Sequence, residues 1–480
     1  MFLRFREFAP DAEPTTEGVL KSGTLGFVAT PRGMKAAASP VDADPVTATA
    51  TVLGAVSLSR IDGAVRTFYG TDEELHEAAG DAWTDRSNGT YNALKWRFAQ
   101  YQNRSIAAGG KQVTLQFSES GAFADLTGAP KAEIVEVVGG QVVVFNTSDN
   151  SDEFNFSAQD NAGDWTNSLA TLSVSGRLVD TQGGITAGRR LGNDIVAYKE
   201  KSLYLGRFVG APVIWDFNLI SDEIGAVSNE AVIPVENEHY FMGIDDFYVF
   251  DGARPRSIGQ AVKEFFFNDE LDFDFRSSVR GIHDRDRGRI IWWYPSQNGS
   301  GGALDRYISY HYFSKRWGSP VEEACQVAFE YTNPTSPTYD TLGDSYSTYA
   351  DLPTTTYDSP FWVTQSFNPA IFNTAQKLQQ LTGTGEATEI IFNDLGVDTA
   401  NTFVSRIRPR FITSPTAGTI YPSARDNLGD DPVSSAETIP LDSGKFDVLE
   451  EARWHQFRME FTGDVEMSGV DIESQLESIE

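Results

Sequence analysis

The sequence predicts an all-β fold: a β-propeller-like array of antiparallel blades with an N-terminal extended arm and an additional C-terminal β-region. Three observations carry this expectation. The first is a pattern of short apolar runs cut by turns. In residues 192–259, Ile195–Tyr198 and Ser202–Leu205 flank the polar turn Lys199-Glu200-Lys201. Tyr240–Met242 and Phe247–Phe250 flank Gly243–Asp246, and Asp251-Gly252 closes the unit. Runs bounded this way read as hairpins. The second is recurrence. One strand of each unit is marked by Phe68, Ile106, Val143, Ile195, Phe241 and Ile290, at intervals of roughly 38, 37, 52, 46 and 49 residues, close to the ~40–50 of a four-stranded blade. Several units end on an aromatic beside a small or acidic residue: Trp83-Thr84-Asp85, Trp165-Thr166-Asn167, Trp215-Asp216 and Trp317-Gly318-Ser319. The third is composition. The 32 Phe and 17 Tyr favour strands, and the 42 Gly and 21 Pro supply turns.

A chain of 480 residues ordinarily divides into two or three domains. A propeller is the exception, because its blades add core one at a time. The net charge is −30, from 68 acids against 38 bases. That sign argues against a sequence-independent DNA binder, whose affinity comes from neutralising phosphates. Excess acid ordinarily serves solubility; the functional alternative is a surface that nucleic acid passes without sticking. Cys325 is the only cysteine, so no internal disulfide forms. The start, Met1 to Glu7, is not followed by an apolar core of signal-peptide length, and no apolar run is long enough to span a bilayer. A soluble protein made in a reducing compartment is expected.

Four regions follow along the chain. Residues 1–53 are extended and polar, an arm lying on the body of this chain or on a neighbouring subunit, with Phe27 and Val28 as anchors. Residues 54–324 hold the propeller-like blades. Within them His76 sits in an acidic context and is expected to be solvated. Ser157–Trp165 resembles an Asp-box hairpin with one residue too many, and Arg189 and Arg190 are possible partner contacts. Val262–Asn268 is expected to be a short helix or an edge strand. Residues 325–400 form a Thr/Ser/Pro/Tyr-rich insertion or loop region, richest over 333–358, of the kind that carries partner contacts. Residues 401–480 are a C-terminal β-region that completes the propeller or joins a ring. Arg406, Arg408 and Arg410 share one face of its first strand and are expected to pair with carboxylates, and Val470–Ile472 is a last strand.

Catalytic chemistry is not visible. The five histidines (76, 239, 283, 311, 455) lack paired metal-ligand spacing. Gly109-Gly110 opens no phosphate-binding pattern, and Asp149–Glu153 lacks the spacing of a calcium loop. The carboxylates Asp269, Glu270, Asp272 and Asp274 alternate with Leu271, Phe273 and Phe275, which reads as polar residues outward and apolar residues inward rather than as a metal site. Cys325 lies among acids that raise its pKa, the wrong direction for a nucleophile. A sialidase-like site would need an arginine cluster converging on a carboxylate, and nothing singles out a triad from Arg254, Arg256, Arg276, Arg280, Arg285, Arg287 and Arg289. The chain is expected not to be an enzyme. No residue is assigned as catalytic, cofactor-binding or metal-ligating, and no cofactor is expected.

Several phrases resemble the tail hub or nozzle structural proteins of short-tailed bacteriophages: FYGTDEELHEAAGDAWTD (68–85), GAPKAEIVEVVGGQVVVFN (128–146), GRRLGNDIVAYKEKSLYLGRFVGAPVIWDFNLISDEIG (188–225), GIDDFYVFDGARPRSIGQAV (243–262) and RWHQFRMEFTGDVEMSGVDIE (453–473). Their order is the specific part, and the arm before residue 54 matches poorly. The resemblance implies a propeller-based virion (tail) subunit, assembled in the host cytoplasm into a homo-oligomeric ring, a hexamer by expectation. The ring would sit below portal and adaptor proteins, beside tail fibres or spikes, and extend the channel through which double-stranded DNA passes without specific binding. The competing reading is a carbohydrate-binding or glycan-cleaving propeller used in host-surface recognition.

Overall fold

The structure is a computed structural model that describes residues 1–61, 64–332, 348, 367–435 and 438–477. Five separate four-stranded antiparallel sheets follow one another in the chain. Blade 1 has its innermost strand at Gly54–Ser59, blade 2 at Arg97–Tyr101, blade 3 at Ala132–Val138, blade 4 at Ile185–Leu191 and blade 5 at Val232–Val235. An eight-stranded sheet then holds two more blades. Blade 6 is Arg280–Asp284, Arg289–Tyr294, Leu304–His311 and Arg316–Trp317. Blade 7 is Val321–Thr332, Phe367–Asn373, Lys377–Gly385 and Ala38–Thr47. Each innermost strand lies against the next, and that of blade 7 returns to that of blade 1, so the described residues form a closed seven-bladed ring.

The six residues that mark the sequence repeat all fall in the second strand of blades 1 to 6. Second strands are covered on both faces by neighbouring blades and therefore read as continuous apolar runs. Gln141–Thr147, Asp194–Lys199 and Arg289–Tyr294 are almost wholly buried. Separate apolar cores fill the wedges between blades, such as Phe145, Phe156, Tyr204 and Trp215 between blades 3 and 4. At the first wedge a Cβ on Gly70 would fall 2.3 Å from Trp96 Cδ1. Glycine there lets the indole lie against blade 1, where its Nε1 donates to the Thr71 carbonyl at 2.6 Å. Trp83, Trp215 and Trp317 sit in outermost strands, and Trp165 is buried between blades 2 and 3.

The N-terminal arm lies on the body of its own chain. Ala38–Thr47 pairs with Lys377–Gly385 as the outer strand of blade 7. Phe2–Arg4 and Met34–Ala36 pair with Glu466–Glu477. That sheet, continued by Asn401–Thr413 and Glu450–Ala452, packs on a second sheet built on Trp454–Thr462 and Ala417–Arg425. Phe461, Phe446, Met467 and Ile407 fill the sandwich, and its core runs without a break into the Trp292 and Trp317 core of blades 5 and 6. Arg406 bonds Asp447 and Glu473, and Arg410 pairs with Asp471, so two of the three stripe arginines meet carboxylates of this chain.

Other expectations meet a different arrangement. Where it is described, the region 325–400 contains strands of blade 7 and two short strands, Thr388–Ile391 and Leu395–Gly396, of the second sandwich sheet; apolar runs such as Ala370–Phe372 pair across the intervening segment with Val327–Phe329. The richest stretch, 333–358, lies outside the described residues apart from position 348. Residues 269–275 do not alternate as a strand. A π-helical turn at Phe265–Glu270 and a 3-10 turn at Phe273–Ser278 leave Phe273 and Phe275 exposed. His76 is not solvated: it is 4% exposed and stacks on Tyr69 at 4.7 Å, and its Nε2 lies 2.9 Å from Glu74.

Candidate functional site

The ring encloses a cavity of about 260 Å³ on its axis, to which all seven innermost strands contribute. Position on an innermost strand decides what faces it. Arg97 opens the strand of blade 2, Arg189 sits in that of blade 4, and Arg280 opens that of blade 6. Glu230 reaches the same space from the turn before blade 5.

Glu230 is the hub. Arg97 Nε donates to Glu230 Oε1 at 2.6 Å and Arg97 Nη2 to Oε2 at 3.3 Å, while Lys95 Nζ donates to Oε2 at 3.2 Å. Burial opposes ionisation of Glu230, but Arg97, Lys95 and Arg280 outweigh it and hold the carboxyl well below the usual glutamate range. Burial pushes the Lys95 ammonium down to about 8, against the pull of Glu230. Burial likewise lowers Arg280, which donates from Nη2 to the Leu53 carbonyl at 3.2 Å. Arg189 donates from Nη2 to the Asn229 carbonyl at 3.0 Å, and its nearest carboxylate, Glu136, is 3.9 Å away. Arg189 Nε is buried with no acceptor. Three arginines (Arg97, Arg189, Arg280) and two carboxylates (Glu230, Glu330) line the cavity, and Glu330 is already paired with Arg285, in a chain that is strongly acidic as a whole.

Of the seven arginines compared in the sequence, only Arg280 lines this cavity. Arg276 bonds Glu200, Arg285 bonds Glu330 and Arg289 bonds Asp284. Arg189, read as a partner contact, faces the axis instead. Sequence reasoning missed Arg97, Lys95 and Glu230, because strand register around the ring, rather than a local motif, brings them together. No tyrosine lines the cavity among the described residues.

The remaining sequence candidates lie away from this cavity or make contacts within the fold. His239 is wholly buried; its Nε2 donates to the Arg190 carbonyl at 2.9 Å, and its Nδ1 accepts from the Tyr198 hydroxyl at 2.8 Å. Burial lowers its pKa to about 4. Glu270 bonds Arg306 and Tyr294, and Asp272 caps the 3-10 turn through Asp274 N. Burial raises the Cys325 thiol, with Glu323 adding to the effect and Arg280 opposing it. Among the described residues no three His, Cys, Asp or Glu side chains are grouped to hold a metal ion, and no helix is long and apolar enough to cross a membrane.

Two surface features stand out. The outer hairpin of blade 4, Leu203–Gly210 with Ile214–Ser221, exposes Phe208, Val209, Val213 and Leu219, each by 42% or more. On the sandwich, the run 426–451 exposes Asp426, Asp430, Asp431, Asp442, Asp447 and Glu451.

No known family and no curated protein matches the chain. Similar solved structures include two crystal structures of BBS1N in complex with ARL6DN. The mercury-soaked one is 11% identical with a TM-score of 0.40, covering 72% of this chain and 96% of that one. The lead-soaked one is 10% identical with a TM-score of 0.41, covering 72% and 97%. The extracellular domain of BT4673 from B. thetaiotaomicron is 11% identical with a TM-score of 0.36, covering 64% of this chain and 45% of that one.

Proposed function

We propose that this chain is a virion structural protein, a subunit of a ring-shaped tail hub or nozzle that lengthens the DNA-ejection channel below portal and adaptor proteins. The observation that carries the reading is the blade 4 hairpin. Phe208, Val209 and Val213 are each about half exposed at the end of the two outer strands of blade 4. Contiguous exposed apolar residues of this kind mark interaction sites, and a ring of separately folded subunits needs such joints. The hairpin lies within the longest phrase that resembles the nozzle proteins, 188–225.

The passage for DNA runs between subunits in this reading. A duplex whose major groove alone is about 12 Å wide cannot thread an axial cavity of about 260 Å³ crossed by Arg97 and Glu230. The exposed carboxylates Asp426, Asp430, Asp431 and Asp442 are candidates for the channel wall, where fixed negative charge repels phosphates and keeps the polymer sliding. The role is mechanical and electrostatic, with no bond made or broken.

Size-exclusion chromatography with light scattering tests this, on the chain alone and mixed with portal and adaptor proteins. A closed ring or a stoichiometric co-assembly is the expected result. A persistent monomer that binds or releases host-surface glycan would replace this reading with the carbohydrate-directed one.

A further inference from the structure

We propose that the axial cavity binds one small oxyanion, a phosphate or carboxylate group received by the guanidinium groups of Arg97, Arg189 and Arg280. The three arginines come from blades 2, 4 and 6 and line one space. Each nitrogen of the Arg97 guanidinium already donates once, to Glu230 or to the Glu133 carbonyl, so the under-used donors are those of Arg189 and Arg280. Glu230 engages Arg97 and Lys95. Arg280 makes no ion pair among the described residues and gives one hydrogen bond, to the Leu53 carbonyl. Arg189 Nε is buried without an acceptor. A buried donor left unpaired is costly, and so is a buried cation without a partner. One oxyanion relieves both costs, because planar guanidinium forks match the geometry of carboxylate and phosphate oxygens.

Size and charge narrow the occupant. At about 30 Å³ per water in the liquid, a cavity of about 260 Å³ has room for a small anion with some of its hydration. The net charge of −30 works against a polyanion approaching the mouth. A free phosphate or a sugar acid fits where a nucleic-acid strand does not. This inference rests on the axis alone and does not depend on ring assembly.

The test uses the full chain in chloride, with inorganic phosphate or glucuronate added at constant ionic strength. Thermal unfolding and calorimetric titration are the readouts. A saturable rise in the unfolding midpoint with either anion is expected, and the more effective one identifies the source as free phosphate or carboxylate. Arg280→Gln is expected to weaken binding by about tenfold or more. Arg189→Lys keeps the charge but loses the fork, and weakens it as well. Arg177→Gln, on the exposed outer strand of blade 3, leaves it unchanged. Identical midpoints in chloride and in both anions overturn the proposal. So does equal protection of the parent chain, Arg280→Gln and Arg189→Lys, which places the anion elsewhere.

Discussion

Arg97 Nε donates to Glu230 Oε1 at 2.6 Å, and this bond spans the ring from the innermost strand of blade 2 to the turn that begins blade 5. It ties together two blades that are not neighbours in the ring.

Glu230→Gln is therefore expected to destabilise the protein by about 3 kcal/mol, because removing one partner of a buried pair strands the other charge. Arg97 and Lys95 would both lose their carboxylate. The folded-state pKa of Glu230 lies below its unfolded value. Its contribution is then fully present above about pH 4.3 and is lost as pH falls through the lower folded value. Denaturant unfolding of parent and variant should differ at neutral pH and converge in acid. Equal stability at pH 7 would remove the axial tie from the account.

His239 gives a second pH signature. Its folded pKa of about 4 lies below the unfolded value of about 6.5. The neutral, buried ring therefore contributes fully above pH 6.5, and the contribution fades as pH drops toward 4, on the order of 3 kcal/mol in all. His239→Gln should lower the midpoint at neutral pH and flatten its slope between those values. A slope unchanged by the substitution would assign the effect to other groups.

Cys325 should be inert to a thiol reagent in the native state. It is 3% exposed, and burial raises its pKa above the ordinary cysteine value. Labelling should appear only as the protein unfolds, with the same midpoint as the loss of β-structure. Rapid labelling of native protein at neutral pH would contradict this environment.

Val209→Asp combined with Val213→Asp should abolish the proposed self-association and leave the unfolding free energy within about 0.5 kcal/mol of the parent, since exposed positions contribute little to the fold. Light scattering and calorimetry measure the two effects separately. Unchanged assembly would move the joint to another surface.

Removing residues 1–47 should abolish cooperative unfolding, because blade 7 loses its outer strand and the sandwich loses Phe2–Arg4, Phe27–Ala29 and Met34–Ala36. Circular dichroism and limited proteolysis would show it. A truncated chain with the parent's midpoint would reduce the arm to decoration.

The sequence by itself determined the all-β class and the second strand of six blades. Those strands are buried on both faces, so Val142–Phe145, Ile195–Tyr198 and Ile290–Tyr294 each carry a continuous apolar signal that recurs at blade length. It did not reveal the seventh blade. There the first and second strands, Val321–Thr332 and Phe367–Asn373, are separated by a long intervening segment, and the outer strand comes from residues 38–47. Pairing between segments more than 300 residues apart leaves no local periodicity to read. The axial cluster is hidden for the same reason: ring closure turns Arg97, Arg189 and Arg280 inward from three innermost strands, and Glu230 joins them from the turn before blade 5. Only tertiary structure could decide that these charges share one desolvated space. His76 shows the same limit at a single residue, since its acidic neighbours in sequence suggest water while the fold stacks it against Tyr69.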